Sequence, residues 1–186
     1  MPMISPSETP SSIHVVDDDD AVRRSIALLL ETAGWTTAIH ASGNAFLDAL
    51  TGLEEARVGC VLTDVRMPGL DGIGLVQHLR KAGFARPIVV MTAHGDVTTA
   101  VQAMKSGAND FIEKPFDDET LLTMIETAMR AVANGQGQPG AVSRESLEAV
   151  RRLSTLSPRE REVLDLLVSG KPNNLVAHQL GSSQRT

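Results

Sequence analysis

Cysteine occurs once in this 186-residue chain, tryptophan once, phenylalanine four times and tyrosine not at all. A single thiol, Cys60, excludes a disulfide within the chain, and in the apolar run VGCVLTD it reads as a buried strand residue. With so few aromatics, Val, Ile, Leu, Ala and Met must build the core, which favours alternating helices and parallel strands over an aromatic-rich β sandwich. No stretch approaches the ~18 consecutive apolar residues that suggest a membrane span. The opening MPMISPSETPSS has neither the basic nor the apolar segment of a secretion signal, so the expected location is the cytoplasm, with no membrane attachment. Its Ser and Pro content predicts a disordered tail over 1–12.

The charge is unevenly spread. Residues 1–142 carry ten Lys and Arg against eighteen Asp and Glu (−8), and residues 143–186 carry seven against five (+2), which sum to the net −6 of the chain. An acidic first part with a mildly basic end suits a regulatory module tethered to a nucleic-acid reader.

Period and punctuation divide the first part into alternating elements. Strand-forming runs stand at 13–17, 36–40, 58–64, 87–92 and 109–114, and helical patterns at 21–32, 43–50, 72–81, 97–106 and 118–133. Gly34 follows the first helix as a stop, and Ser42 and Asp117 are expected to cap the second and fifth. Five strands separated by helices predict a doubly wound parallel α/β sheet with helices on both faces. The third and fourth strand runs are almost wholly apolar, as strands covered on both faces should be. The text VANGQGQPGAVS then reads as a linker, and two further helices are expected at 158–169 and 173–180.

Open parallel sheets collect ligands outside the carboxyl ends of their strands. Here those ends carry Asp17 and Asp18, then Asp64, then Thr92, then Lys114 before Pro115. Clustered carboxylates repel unless a cation shares the site, and an oxygen-only set suits Mg²⁺. A metal and a lysine around one carboxylate are what phosphoryl transfer requires. Singly, DDDD reads as a solvated charge run and Asp64 before Pro68-Gly69 as a turn residue; their joint placement at successive strand ends carries the reading.

The segments VVDDDDAVR, LTDVRMPGLDG, VVMTAHGD and FIEKPF resemble the successive signatures of the response-regulator receiver family, with its CheY-like fold and strand order 2-1-3-4-5. The resemblance spans 13–133 and implies Asp64 as phosphoacceptor, Asp18 as a direct Mg²⁺ ligand, Asp17 acting on the metal largely through water, and Arg66 offering its backbone carbonyl. It implies further that Thr92 and Lys114 bind the phosphoryl oxygens and that Phe111 is the switch aromatic. Arg66 and His94, each two residues past a site residue, are expected to tune the phosphoryl lifetime.

The end of the chain, LSPREREVLDLLVSGKPNNLVAHQLGSSQRT, resembles the opening of the helix-turn-helix domain of LuxR-, NarL- and FixJ-type regulators. The organisation expected is a tail (1–12), a receiver (13–133), a linker (134–155) and a helix-turn-helix fragment (156–186) that lacks the family's recognition helix and so holds no complete DNA-binding surface. The partners implied are a sensor histidine kinase, promoter DNA for the full-length protein, and a second copy joined on phosphorylation through about 97–114. The protein is read as a switch and not as an enzyme. Two alternatives stand beside this one: a receiver with a protein-binding output, and a phosphatase of the haloacid dehalogenase type using Asp18-x-Asp20 as its nucleophile motif.

Overall fold

The computed structural model describes residues 12–93 and 97–134. The expected tail up to residue 11, most of the linker, His94 and both helices of the second domain lie outside the described residues, while Ser12, expected in the tail, belongs to the first strand. Strands β1 (Ser12–Val16), β2 (Thr36–His40), β3 (Val58–Asp64), β4 (Ile88–Thr92) and β5 (Asp110–Glu113) alternate with helices α1 (Asp20–Thr32), α2 (Gly43–Leu50), α3 (Gly72–Lys81), α4 (Val97–Lys105) and α5 (Asp118–Ala133). All pairings are parallel and the strand order is 2-1-3-4-5.

The two-residue period of the strands builds the three layers. Val16, Val61, Ile88 and Val90 face one side and pack on Phe46, Leu75, Val76, Leu79 and Met104 of α2, α3 and α4. Their neighbours Val15, Cys60, Leu62, Val89 and Met91 face the other and pack on Ile26, Leu30, Leu121 and Ile125 of α1 and α5. Every residue of β3 and β4 is buried, so the near-continuous apolar runs mark central strands. Cys60 is fully buried, and burial pushes its thiol up to about 12.

Caps set the helix starts. Ser42 accepts from the Ala45 amide and Asp117 from the Thr120 amide, as expected. Helix α1 begins one residue earlier than the periodicity indicates, because Asp19 caps it by accepting from the amides of Ala21 and Val22. Asp71, likewise unforeseen, caps α3 through the Gly74 amide. A short 3₁₀ turn, Glu55–Arg57, leads into β3 and has no periodic signal. Among the described residues no helix is long and apolar enough to cross a membrane.

Candidate phosphoacceptor site

Parallel pairing brings the carboxyl ends of β1, β3, β4 and β5 to one rim. Asp17 follows β1, Asp64 and Thr92 are the last residues of β3 and β4, and Lys114 follows β5. Asp17, Asp64 and Thr92 are buried and Lys114 is half-buried. The Lys114 ammonium donates to Asp17 Oδ2 at 2.5 Å and to Asp64 Oδ1 at 2.6 Å, joining residues 97 and 50 positions apart in the chain. The Lys114 amide donates to the Thr92 carbonyl at 2.7 Å, so β4 fixes where that side chain starts. Burial opposes the charge on Lys114, but its hydrogen bonds and ion pairs with Asp17 and Asp64 outweigh it and hold the ammonium above the usual lysine value.

The remaining carboxylate oxygens meet backbone. Asp17 Oδ1 accepts from the Asp19 amide at 2.9 Å, and Asp64 Oδ2 from the Arg66 amide at 2.6 Å. Behind Asp64, α3 comes very close: a Cβ on Gly72 would lie 2.0 Å from the Asp64 carbonyl oxygen, so only glycine fits there. The Gly72 amide also donates to Val65 O at 2.9 Å, seating the start of α3 on the end of β3.

Of the residues picked from sequence, Asp17, Asp64 and Lys114 are in direct contact, with Thr92 beside them. Asp18 and Arg66 are exposed on the same rim. Phe111 is half-buried on β5, packed against the α2–α4 side of the core. The sequence reading missed Arg23, which is buried and donates to the Asp17 carbonyl at 2.6 Å and to Asp20 Oδ1 at 2.9 Å. The spacing of Asp20 and Arg23 on one helix face was its only signal. Because Asp20 is engaged by Arg23 and Arg24 on the outside of α1, the Asp18-x-Asp20 nucleophile motif of a phosphatase is not assembled.

Among the described residues no three carboxylate, imidazole or thiolate groups form a ready-made metal cluster. The donor set still fits a hard dication. Asp17 and Asp64, both buried, offer carboxylate oxygens beside one ammonium, and Asp18, exposed next to Asp17, adds a third carboxylate.

Residues 13–126 match the family model described as response regulator receiver domain, and residues 154–186 the model described as bacterial regulatory proteins, luxR family. The chain is 46% identical over 179 residues to the transcriptional regulatory protein FixJ of Bradyrhizobium diazoefficiens, covering 96% of this chain and 83% of the relative. It is 47% identical over 174 residues to FixJ of Azorhizobium caulinodans, covering 94% and 79%. Among solved structures, full-length FixJ from B. japonicum aligns with a TM-score of 0.61 at 45% identity, over 95% of this chain and 83% of that one. The FixJ-N crystal structure aligns at 0.61 and 40% identity over 66% of this chain.

Proposed function

The chain belongs to the FixJ-type two-component transcriptional response regulators, with a receiver and a LuxR-type DNA-binding domain, and from that premise we propose that Asp64 is its phosphoacceptor. Members of this family are transcription regulators and not catalytic enzymes. The observation that carries the assignment is the Lys114 ammonium bridging Asp17 and Asp64 at the carboxyl rim. Asp64 is the member of that trio that ends the central strand and faces a cation already in hydrogen-bond contact.

In this reading an Asp64 carboxylate oxygen attacks the phosphorus of a phosphohistidine on a partner kinase. The P–N bond breaks, a P–O bond forms, and the imidazole leaves. Lys114 moves from the Asp64 carboxylate to a phosphoryl oxygen, and the Thr92 hydroxyl turns to another. Phe111, on the strand that carries Lys114, follows, and the segment 97–114 changes its surface and joins a second copy. Receivers as a family typically use Mg²⁺. Here the carboxylates of Asp17, Asp18 and Asp64 and the Arg66 carbonyl would hold it, Asp17 through water, and when bound it offsets charge on the phosphoryl oxygens. Arg66 and His94 tune the lifetime of the acyl phosphate. The receiver occupies 13–133 and the helix-turn-helix fragment begins near 156; in the full-length protein that domain acts on promoter DNA, in the cytoplasm.

The test is covalent labelling by acetyl phosphate with millimolar Mg²⁺. The wild-type chain acquires one acid-labile phosphoryl group, and Asp64→Asn acquires none while keeping its circular dichroism spectrum. Unchanged or acid-stable labelling of Asp64→Asn overturns the assignment.

A further inference from the structure

Helix α3 is rooted at Asp64 by Gly72, and its other end carries a guanidinium that no part of the site uses. Arg80, half-buried, is the penultimate residue of α3. Its Nε donates to Gly107 O at 2.8 Å, its Nη2 to Asn109 Oδ1 at 2.7 Å, and its Nη1 to Phe84 O at 2.6 Å and Arg86 O at 2.9 Å. One side chain thus ties the end of α3 to the loop before β4 and to the loop between α4 and β5. A planar guanidinium does this because its donors point in fixed, different directions; an ammonium at the same place would reach one or two of them.

The α4–β5 loop is held on every side of that contact. Asn109 Oδ1 also accepts from the Ile88 amide at 2.9 Å, and the Asn109 amide donates to Ile88 O at 2.8 Å, fixing the loop to the first residue of β4. The amides of Gly107 and Ala108 close back on Met104 O and Ala103 O, both at 3.1 Å, so the loop is rigidly continuous with the last turn of α4. Gly107 has φ +102°, and a Cβ there would lie 2.8 Å from Arg80 Cγ, so the backbone rests directly on the arginine stem. Gln77 adds a second tie from α3, donating to Ser106 Oγ at 3.1 Å. Burial lowers the guanidinium to about 10, which leaves it charged at neutral pH and its four acceptors the compensation for desolvation.

We propose that Arg80 is the pivot of the phosphorylation switch: it pins the far end of α4 to the helix rooted behind Asp64, so the α4–β5 segment swings about residues 105–109 instead of shifting as a whole. This rests on the reading of Thr92 to Phe111 as the switch. A change entering at the end of β4 reaches α4 from its Val97 side, and with residues 105–109 clamped, displacement grows with distance from the clamp. Arg80 touches no phosphoryl group, so it is a positioning residue.

Amide hydrogen exchange of the whole 186-residue chain, free and saturated with beryllium fluoride and Mg²⁺, tests this at a concentration where sedimentation finds both states monomeric, so that pairing through 97–114 does not itself protect the segment. In the wild-type chain the difference falls at 97–103, while amides 105–109 change less than about twofold. In Arg80→Met the difference spreads into 105–109 at about tenfold, while fluorine NMR still finds beryllium fluoride on Asp64. Arg80→Lys, which keeps the charge and loses the fork, serves if the Met variant does not fold, and spreads in the same direction. A wild-type difference as large at 105–109 as at 97–103, or a variant with the wild-type pattern, overturns the pivot alone. No difference anywhere in 97–113 with beryllium fluoride on Asp64 overturns the switch reading and the pivot with it.

Discussion

Strand β1 carries two buried polar clusters a few residues apart, and they handle charge in opposite ways. Just past its end, Asp17 shares the Lys114 ammonium with Asp64 in a pair of salt bridges. Near its start, His14 is enclosed with only neutral partners. Ser12 Oγ lies 2.9 Å from His14 Nε2, and His14 Nδ1 lies 2.9 Å from His40 Nε2. The two imidazoles stack with centroids 5.2 Å apart, and the Phe46 ring meets both edge-on. Because Ser12 donates its proton to Arg57 O, its oxygen accepts from His14 Nε2–H, and His14 Nδ1 then accepts from His40 Nε2–H. An added proton on His14 Nδ1 would face another N–H. Burial, and secondarily the nearness of His40, push His14 down to about 4, and burial lowers His40 as well. The difference teaches that depth alone does not set protonation. What decides is whether the neighbours offer an opposite charge or only another donor.

Removing the cation should break that contrast most severely. Lys114→Met leaves Asp17 and Asp64 buried against each other, at a cost of about 4 kcal/mol in urea unfolding at neutral pH. Asp64→Asn in the Lys114→Met background should recover a large part of it. A Lys114→Met chain as stable as wild type would mean the ion pairs are not what makes the buried carboxylates tolerable.

Acid should act on the histidine cluster next. His14 binds its proton more weakly folded than unfolded, so the unfolded chain takes up more protons as pH falls. The stability it supports is therefore complete above about 6.5 and is lost between there and about 4, by about 3 kcal/mol. His14→Gln keeps hydrogen-bonding atoms without titrating, so the wild-type chain should lose stability relative to it across that window in unfolding titrations. Parallel pH profiles would show that the pair does not titrate as an enclosed neutral unit.

The smallest effect sharpens the comparison. Ser12→Ala removes the acceptor that selects the His14 tautomer, and should lower stability by about 1 kcal/mol. Nitrogen-15 shifts of His14 should move from one fixed tautomer toward a mixture; an unchanged spectrum would mean that His40 alone selects it.

These clusters differ in legibility too. The charged trio was readable because each member ends or directly follows a strand, and the apolar runs and helix periods already located those ends within a residue or so. Asp17, Asp64 and Lys114 are also unusual residue types to find beside buried strands. The histidine pair was not readable: its members lie in β1 and β2, and only the pairing of Val16 with His40 and His14 with Ala38 brings the rings side by side. Arg80 escaped for a related reason. Its acceptors are mostly backbone carbonyls, which every residue has and no motif records. Sequence pattern reports periodicity and chemistry at element ends, whereas contacts from side chain to distant backbone exist only once the fold does.

Cys60 turns the central strand into a clock. It is the single thiol of the chain, four positions before Asp64 on β3, closed in by α1 and α5 residues, and burial pushes it far enough above the usual cysteine range that it stays a thiol at pH 7. A thiol reagent therefore waits until α1 and α5 part from the sheet or β3 itself comes out of it, while fraying on the α2, α3 and α4 side passes unregistered. The alkylation rate, divided by that of the unfolded chain, gives the fraction of time this face of the strand that ends in Asp64 is open, with no residue changed.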